Sequence, residues 1–243
     1  MRIDAADTSP PLSNIVLTAR PGIVVGVFGL LGSGLYETAY LLSGRSQIRA
    51  CHGSVAMGQT EYTLPLHMKN RARLRLAFLP PERKRDGLVL SLSVSRNIAL
   101  PSLRSYTAQK WLLRRKHMAA TARDEIRKYD MRSASPNVLT HRLSGGTQQK
   151  VLFSSRALYR PSILVLCEPT RGVDVGVRYE IHRAVVSLAE SGRTVIVFSS
   201  DAEELADVSD EVMVLRDGKQ AGLLASHDLS VRNLLAIATG AVP

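Results

Sequence analysis

The stretch Gly29-Leu30-Leu31-Gly32-Ser33-Gly34-Leu35-Tyr36 has the makings of a loop that holds phosphate. Such a loop needs glycines, so that backbone N–H groups can converge on an anion, and a helix N-terminus behind them. The apolar run Ile23 to Phe28 in front of it reads as a buried strand, and the pattern from Tyr36 to Leu42 is helical, ending at Ser43-Gly44. Full phosphate chemistry also asks for a Lys on the phosphates and a Ser or Thr hydroxyl on Mg²⁺. Those two places hold Leu35, which carries no charge, and Tyr36, whose hydroxyl sits at the far end of a ring. A tight strand-to-helix turn accounts for the same glycines.

A second segment, Leu143-Ser144-Gly145-Gly146-Thr147-Gln148-Gln149-Lys150, opens a helix with a Ser and two glycines. Ser144 can cap that helix, leaving its first N–H groups facing outward towards an anion. An ordinary N-cap with a Gly-Gly turn fits the spacing equally well.

These segments need a scaffold, and the hydrophobic pattern supplies one. Leu76–Leu79, Ile163–Leu166, Thr194–Phe198 and Val212–Leu215 read as strands. Arg178–Leu188, Ala202–Ala206 and residues 229–239 read as helices, and Arg216-Asp217-Gly218-Lys219 as a hairpin turn. Residues 45–70 suggest a small sheet. The segment from Val94 to about His141 is helical in pattern and rich in Arg and Lys, including the basic stretch Trp111 to His117. Residues 1–13 look like a loose leader. Strands alternating with helices predict an α/β fold with a largely parallel sheet.

Composition bounds the function. With 45% hydrophobic and 22% charged residues, the chain reads as globular. Its 32 Lys and Arg against 21 Asp and Glu give a net charge of +11, which points to an anionic partner or to a solvated basic surface. The polar stretch Met1–Pro11, with two Asp, does not read as a secretory signal. The uncharged stretch Pro21–Tyr36 is too short and too glycine-rich for a membrane helix. Cys51 and Cys167 lack metal-ligand spacing and read as reduced thiols of a cytosolic protein.

Taken together, the segments resemble the ATP-binding domain of ABC transporters. Leu143-Ser144-Gly145-Gly146-Thr147-Gln148 is similar to the family signature. Glu168-Pro169-Thr170 resembles the end of the Walker B strand with its catalytic Glu, and Arg171-Gly172-Val173-Asp174 resembles the D-loop. The resemblance spans residues 14–240. Pro81 to Leu88, Leu92 to Ile98, Gln148 to Val151, Glu168 to Gly176 and Leu235 to Gly240 look most like the second domain of ribose, galactose and xylose importers.

The resemblance implies a P-loop NTPase (RecA-like) core over residues 14–243, with a small antiparallel sheet and an inserted helical subdomain at about 88–148. It implies ATP and Mg²⁺ as cofactors. Gly29, Gly32, Ser33, Gly34, Leu35, Tyr36, Ser144, Gly145, Gly146, Gln148 and Asp174 would contact nucleotide, and Glu168 would be the general base. It also implies a second nucleotide-binding domain, permease subunits, indirectly a periplasmic sugar-binding protein, and a place on the cytoplasmic face of the inner membrane. Nucleic acid is not an expected partner.

The family pattern fails at several places. Leu35 and Tyr36 replace the phosphate Lys and the Mg²⁺ hydroxyl, Cys167 stands at the Walker B Asp, Ser200 at the switch His, and Pro81 or Glu82 at a Gln. Mg²⁺ prefers hard oxygen ligands, so a thiol is a poor substitute. The expectation is a silent phosphate loop beside an intact signature, with ATP hydrolysis coupled to transport only in an assembled complex. Two other readings compete: a cassette module with no transport role, and a soluble ABC ATPase acting on nucleic acid, which the +11 charge motivates.

Overall fold

The computed structural model describes residues 2–5, 8–44, 51–57, 60–64, 66–108 and 112–241. Trp111 of the basic stretch, parts of the leader (1, 6–7) and parts of the expected 45–70 sheet (45–50, 58–59, 65) lie outside them. So does the side chain of Cys51.

In chain order the first elements are β1 (Arg2–Ala5), β2 (Leu12–Val16), β3 (Val24–Gly29), α1 (Leu35–Ser43), β4 (Cys51–Met57), β5 (Thr60–Thr63), α2 (Met68–Arg73) and β6 (Leu76–Leu79). Then come α3 (Val94–Ala99), β7 (Thr107–Ala108), β8 (Leu112–Leu113), α4 (Arg115–Lys128) and α5 (Gly145–Leu158). The chain closes with β9 (Ile163–Cys167), α6 (Val175–Glu190), β10 (Thr194–Ser199), α7 (Ala202–Val208), β11 (Glu211–Arg216), β12 (Lys219–Ala225) and α8 (Val231–Thr239). Two compact units divide it: Met1–Phe78, Ser162–Glu168 and His182–Pro243 form the first, and Leu79–Pro161 with Pro169–Ile181 the second. The second unit is wider than the 88–148 that the resemblance implies.

The first unit is built on a ten-stranded sheet in the order β5-β4-β1-β2-β12-β11-β3-β10-β9-β6. β9, β10, β3 and β11 run parallel, and every residue of β3, β9 and β10 is buried. Strands covered on both faces read as continuous apolar runs, which is why the sequence showed them clearly. β2, β1, β4 and β5 pair antiparallel, forming the smaller part of the sheet.

The loose leader is a correction. Arg2–Ala5 pairs with both β2 and β4, and Ile3 is fully buried in the core beside Leu12 and Ile15. Strands this short carry too few residues to show a period, and β4 is distant in sequence.

At the turn between β11 and β12, Asp217 and Gly218 have φ of 50° and 74°. Positive φ at both central positions is the backbone that a two-residue hairpin of this twist requires. The Gly218 N–H donates to the Ser33 carbonyl at 3.0 Å, so the hairpin braces the glycine loop.

The second unit holds α3, α4 and α5, with the β7–β8 hairpin between α3 and α4. The basic stretch expected to be helical is therefore partly strand: Leu112 pairs with Ala108, the Arg114 N–H donates to the Tyr106 carbonyl at 2.8 Å, and α4 begins only at Arg115. Charge is divided unevenly between the units. The second contains 19 of the 32 Lys and Arg but only 7 of the 21 Asp and Glu, a net +12, which leaves the first at −1.

Candidate functional site

The expected site residues fall into two sets, one in each unit. In the first unit β3 runs into the glycine loop and then into α1. Gly32 and Gly34 have φ of 83° and 92°, a left-handed backbone that glycine adopts without strain. The Ser33 N–H donates to the Leu30 carbonyl at 2.9 Å, and the Thr38 hydroxyl to the Gly34 carbonyl at 2.7 Å. A side chain at Gly29 would collide with the Ser33 hydroxyl, which is itself buried without a hydrogen-bond partner.

The two residues after the glycines diverge. Leu35 is 2% exposed and packs in the main hydrophobic cluster. Tyr36 is half-buried, and its hydroxyl donates to Glu168 Oε1 at 3.0 Å.

Glu168 follows β9 directly. Its N–H continues the pairing with β10, donating to the Phe198 carbonyl at 2.8 Å, while its own φ of 50° is unusual for a residue with a Cβ. The side chain is 5% exposed. Besides Tyr36, its Oε1 accepts from the Ser200 N–H at 3.0 Å and the Ser200 hydroxyl at 2.8 Å. Its Oε2 lies 3.4 Å from the Ser199 hydroxyl, whose shorter bond, 2.5 Å, goes to Glu204. His182 Nε2 approaches the other oxygen of Glu204 at 3.4 Å. The Tyr36 hydroxyl has its pKa pushed up to about 12, first by burial and then by the Glu168 charge. Cys167 is a fully buried thiol in the same cluster as Leu35.

Sequence reading missed Ser199, Glu204 and His182. The signal for the first two was present: Asp201 follows the apolar run of β10 and caps α7, accepting from the Glu203 and Glu204 N–H groups at 3.0 and 3.1 Å.

In the second unit Ser144 caps α5, its hydroxyl oxygen accepting from the Thr147 N–H at 3.3 Å. Ser144 is exposed while Gly146 through Lys150 are buried. The cap is held from behind. Asn97, 3% exposed, uses its carboxamide on Val89 and on the Thr140 hydroxyl, and that hydroxyl donates to the Leu92 carbonyl at 3.0 Å.

Gln148 belongs to this bracing. It is 4% exposed, and its amide nitrogen donates to the Thr140 and Leu143 carbonyls, both at 3.1 Å. Both bonds support the turn below Ser144.

The glycines allow close approach. A Cβ at Gly146 would lie 2.9 Å from Val177 Cγ2, and one at Gly145 2.7 Å from the guanidinium of Arg83. Arg83 donates to the Arg171 carbonyl at 3.0 Å, and Arg171 pairs with Glu82 at 3.3 Å. Asp174 is exposed and accepts from the Val177 N–H at 3.0 Å at the start of α6. Among the described residues, no group of three or more His, Cys, Asp or Glu is arranged to hold a metal ion. Nor is any helix among them long and apolar enough to cross a membrane.

A strand–glycine loop–helix unit on a mainly parallel sheet, with a small antiparallel sheet beside it, defines a P-loop nucleotide-binding fold. The ABC transporter family matches residues 12–171, and the chain belongs to that family. Among its relatives are a ribose import ATP-binding protein of Rhizobium johnstonii, 34% identical over 93% of this chain, and a xylose import ATP-binding protein of Histophilus somni, 33% identical over 93%. The match covers 44% of each of those proteins, so the chain spans under half the length of the curated relatives it matches. A nucleotide-free ATP-binding cassette from an ABC transporter shares the fold with a TM-score of 0.76, at 17% identity over 93% of this chain and 88% of that one. A dimeric cassette bound to ADP and Pi gives 0.73, at 21% identity over 88% and 90%.

Proposed function

We propose that this chain is the cassette domain of a carbohydrate importer that completes a partner's ATP site and does not run its own. It works at the cytoplasmic face of the inner membrane, with permease subunits and a second cassette domain whose phosphate loop keeps Lys and Ser or Thr. The import proteins among its relatives support the substrate class, and their length, of which the chain covers 44%, leaves room for a second such domain.

The observation that carries the reading is the Tyr36–Glu168 hydrogen bond. A general base must reach its water within hydrogen-bond distance, but Glu168 is buried and already accepts from Tyr36 and Ser200. Around it the residues do not fit Mg²⁺, which takes oxygen ligands. Leu35 and the Cys167 thiol are sealed in the core, and the Tyr36 hydroxyl is committed. Each missing charged hydrogen bond costs about 1.5–3 kcal/mol, or about ten- to a hundredfold in affinity.

Ser144, by contrast, sits exposed on a braced helix N-terminus. Phosphoryl transfer rests on positioning and electrostatic stabilisation, which such a terminus can donate to a facing site. Affinity purification of the tagged chain from membranes with Mg-ATP tests the reading. It is expected to bring down a permease and a cassette with an intact loop; recovery of the chain alone contradicts it.

A further inference from the structure

A pocket of about 350 Å³ lies wholly within the second unit, and none of its lining residues is among the expected site residues. Ser93, Ser95 and Arg96, at the start of α3, form one side; Arg115, from the first turn of α4, forms another; Asn137 completes the polar rim. Met118, 5% exposed, contributes apolar surface to the lining.

The polar groups here are unusual in what they lack. No Asp or Glu lines the pocket. Among the described residues, the Arg96 and Arg115 side chains have no ion pair or hydrogen bond. The Ser93 and Ser95 hydroxyls lie 3.2 Å apart and have a donor left to offer outward. Arg96 and Arg115 both line the cavity, both are exposed, and no Asp or Glu among the lining residues offsets their charge. Their planar forks match phosphate oxygens bidentately. The +12 charge of this unit raises the local concentration of anions. The volume is at the low end of the range for small-molecule pockets, about 300–1,000 Å³, which suits one small ligand.

We propose that this pocket binds a small phosphate ester with a hydroxylated body, of the size of a monosaccharide phosphate. The arginines take the phosphate, the serine hydroxyls and the Asn137 carboxamide take ring hydroxyls, and Met118 packs against the carbon skeleton. The assignment does not depend on the import reading, because binding is read on the full chain alone.

Isothermal titration with glucose 6-phosphate, glucose and inorganic phosphate tests it. Glucose 6-phosphate is expected to bind, glucose not to bind, and inorganic phosphate to bind at least about tenfold more weakly than the ester. Arg96→Gln and Arg115→Gln are each expected to weaken the ester about tenfold or more, while Arg232→Gln, an exposed position in the first unit, leaves it unchanged. Both pocket arginines are exposed, so the variants should fold, and thermal melts verify this. Three results overturn the proposal: no ester binding to the unaltered chain, losses in the two variants no larger than in R232Q, or inorganic phosphate binding as tightly as the ester.

Discussion

The two glycine-bearing helix starts of this protein treat their backbone and side chains in opposite ways. At the start of α1 the side chains that follow the glycines turn inward: Leu35 into the core, Tyr36 onto Glu168. At the start of α5 the inward work is done by other residues, Asn97, Thr140 and Gln148, and Ser144 is left at the surface. Glycines alone therefore do not make an anion site. What decides is whether the neighbouring polar groups are already satisfied within the fold. The same contrast extends to charge, with +12 in the unit that carries Ser144 and −1 in the unit that carries Tyr36.

This contrast can be broken at either end. The largest effect is expected from Ser144→Arg, which puts a bulky cation where the helix N-terminus would face a nucleotide. ATPase activity of an assembled complex containing this chain should fall by about a hundredfold or more, as when a charge-stabilising donor is lost; unchanged turnover would remove the signature from the mechanism. Next, Leu35→Lys combined with Tyr36→Thr puts an ammonium and a short hydroxyl directly after the glycines. It should raise the isolated chain's affinity for ATP by about tenfold in equilibrium titration.

Smaller effects are expected in stability. Glu168→Ala removes a carboxylate that accepts from Tyr36 and from both donors of Ser200. It should cost about 1–3 kcal/mol, read from the denaturant midpoint. Tyr36→Phe deletes one bond and should cost about 1 kcal/mol. It should also alter the alkaline limb. The Tyr36 hydroxyl titrates at about 12 in the fold and at 10.0 when unperturbed. Between those values the unfolded chain binds fewer protons than the folded one, so stability is complete below the lower value and falls as pH rises through the interval. The Phe variant should lose that part of the slope.

Much of the fold was legible because its central strands are buried on both faces and stand out as apolar runs. Ile163–Cys167 and Thr194–Ser199 differ from the sequence reading by a single residue each. Strands β1 and β8 were not legible. Each has four residues or fewer, and both are fixed by tertiary pairing. In the site, the glycine loop and the signature were visible as local patterns. The Tyr36–Glu168 bond joins residues 132 positions apart, and no local pattern announces it. Gln148 was visible as part of its motif; the bonds of its amide to the Thr140 and Leu143 carbonyls were not.

The central claim is that Glu168 is held by its own fold and is not the base of an operating site. Glu168→Gln keeps the shape and an acceptor oxygen, so ATPase measurement of the assembled complex carrying this substitution is the most direct test. The account predicts turnover within about twofold of the unaltered complex. A general base contributes about 10²–10⁴-fold, so a loss of that size would show that this chain runs its own site.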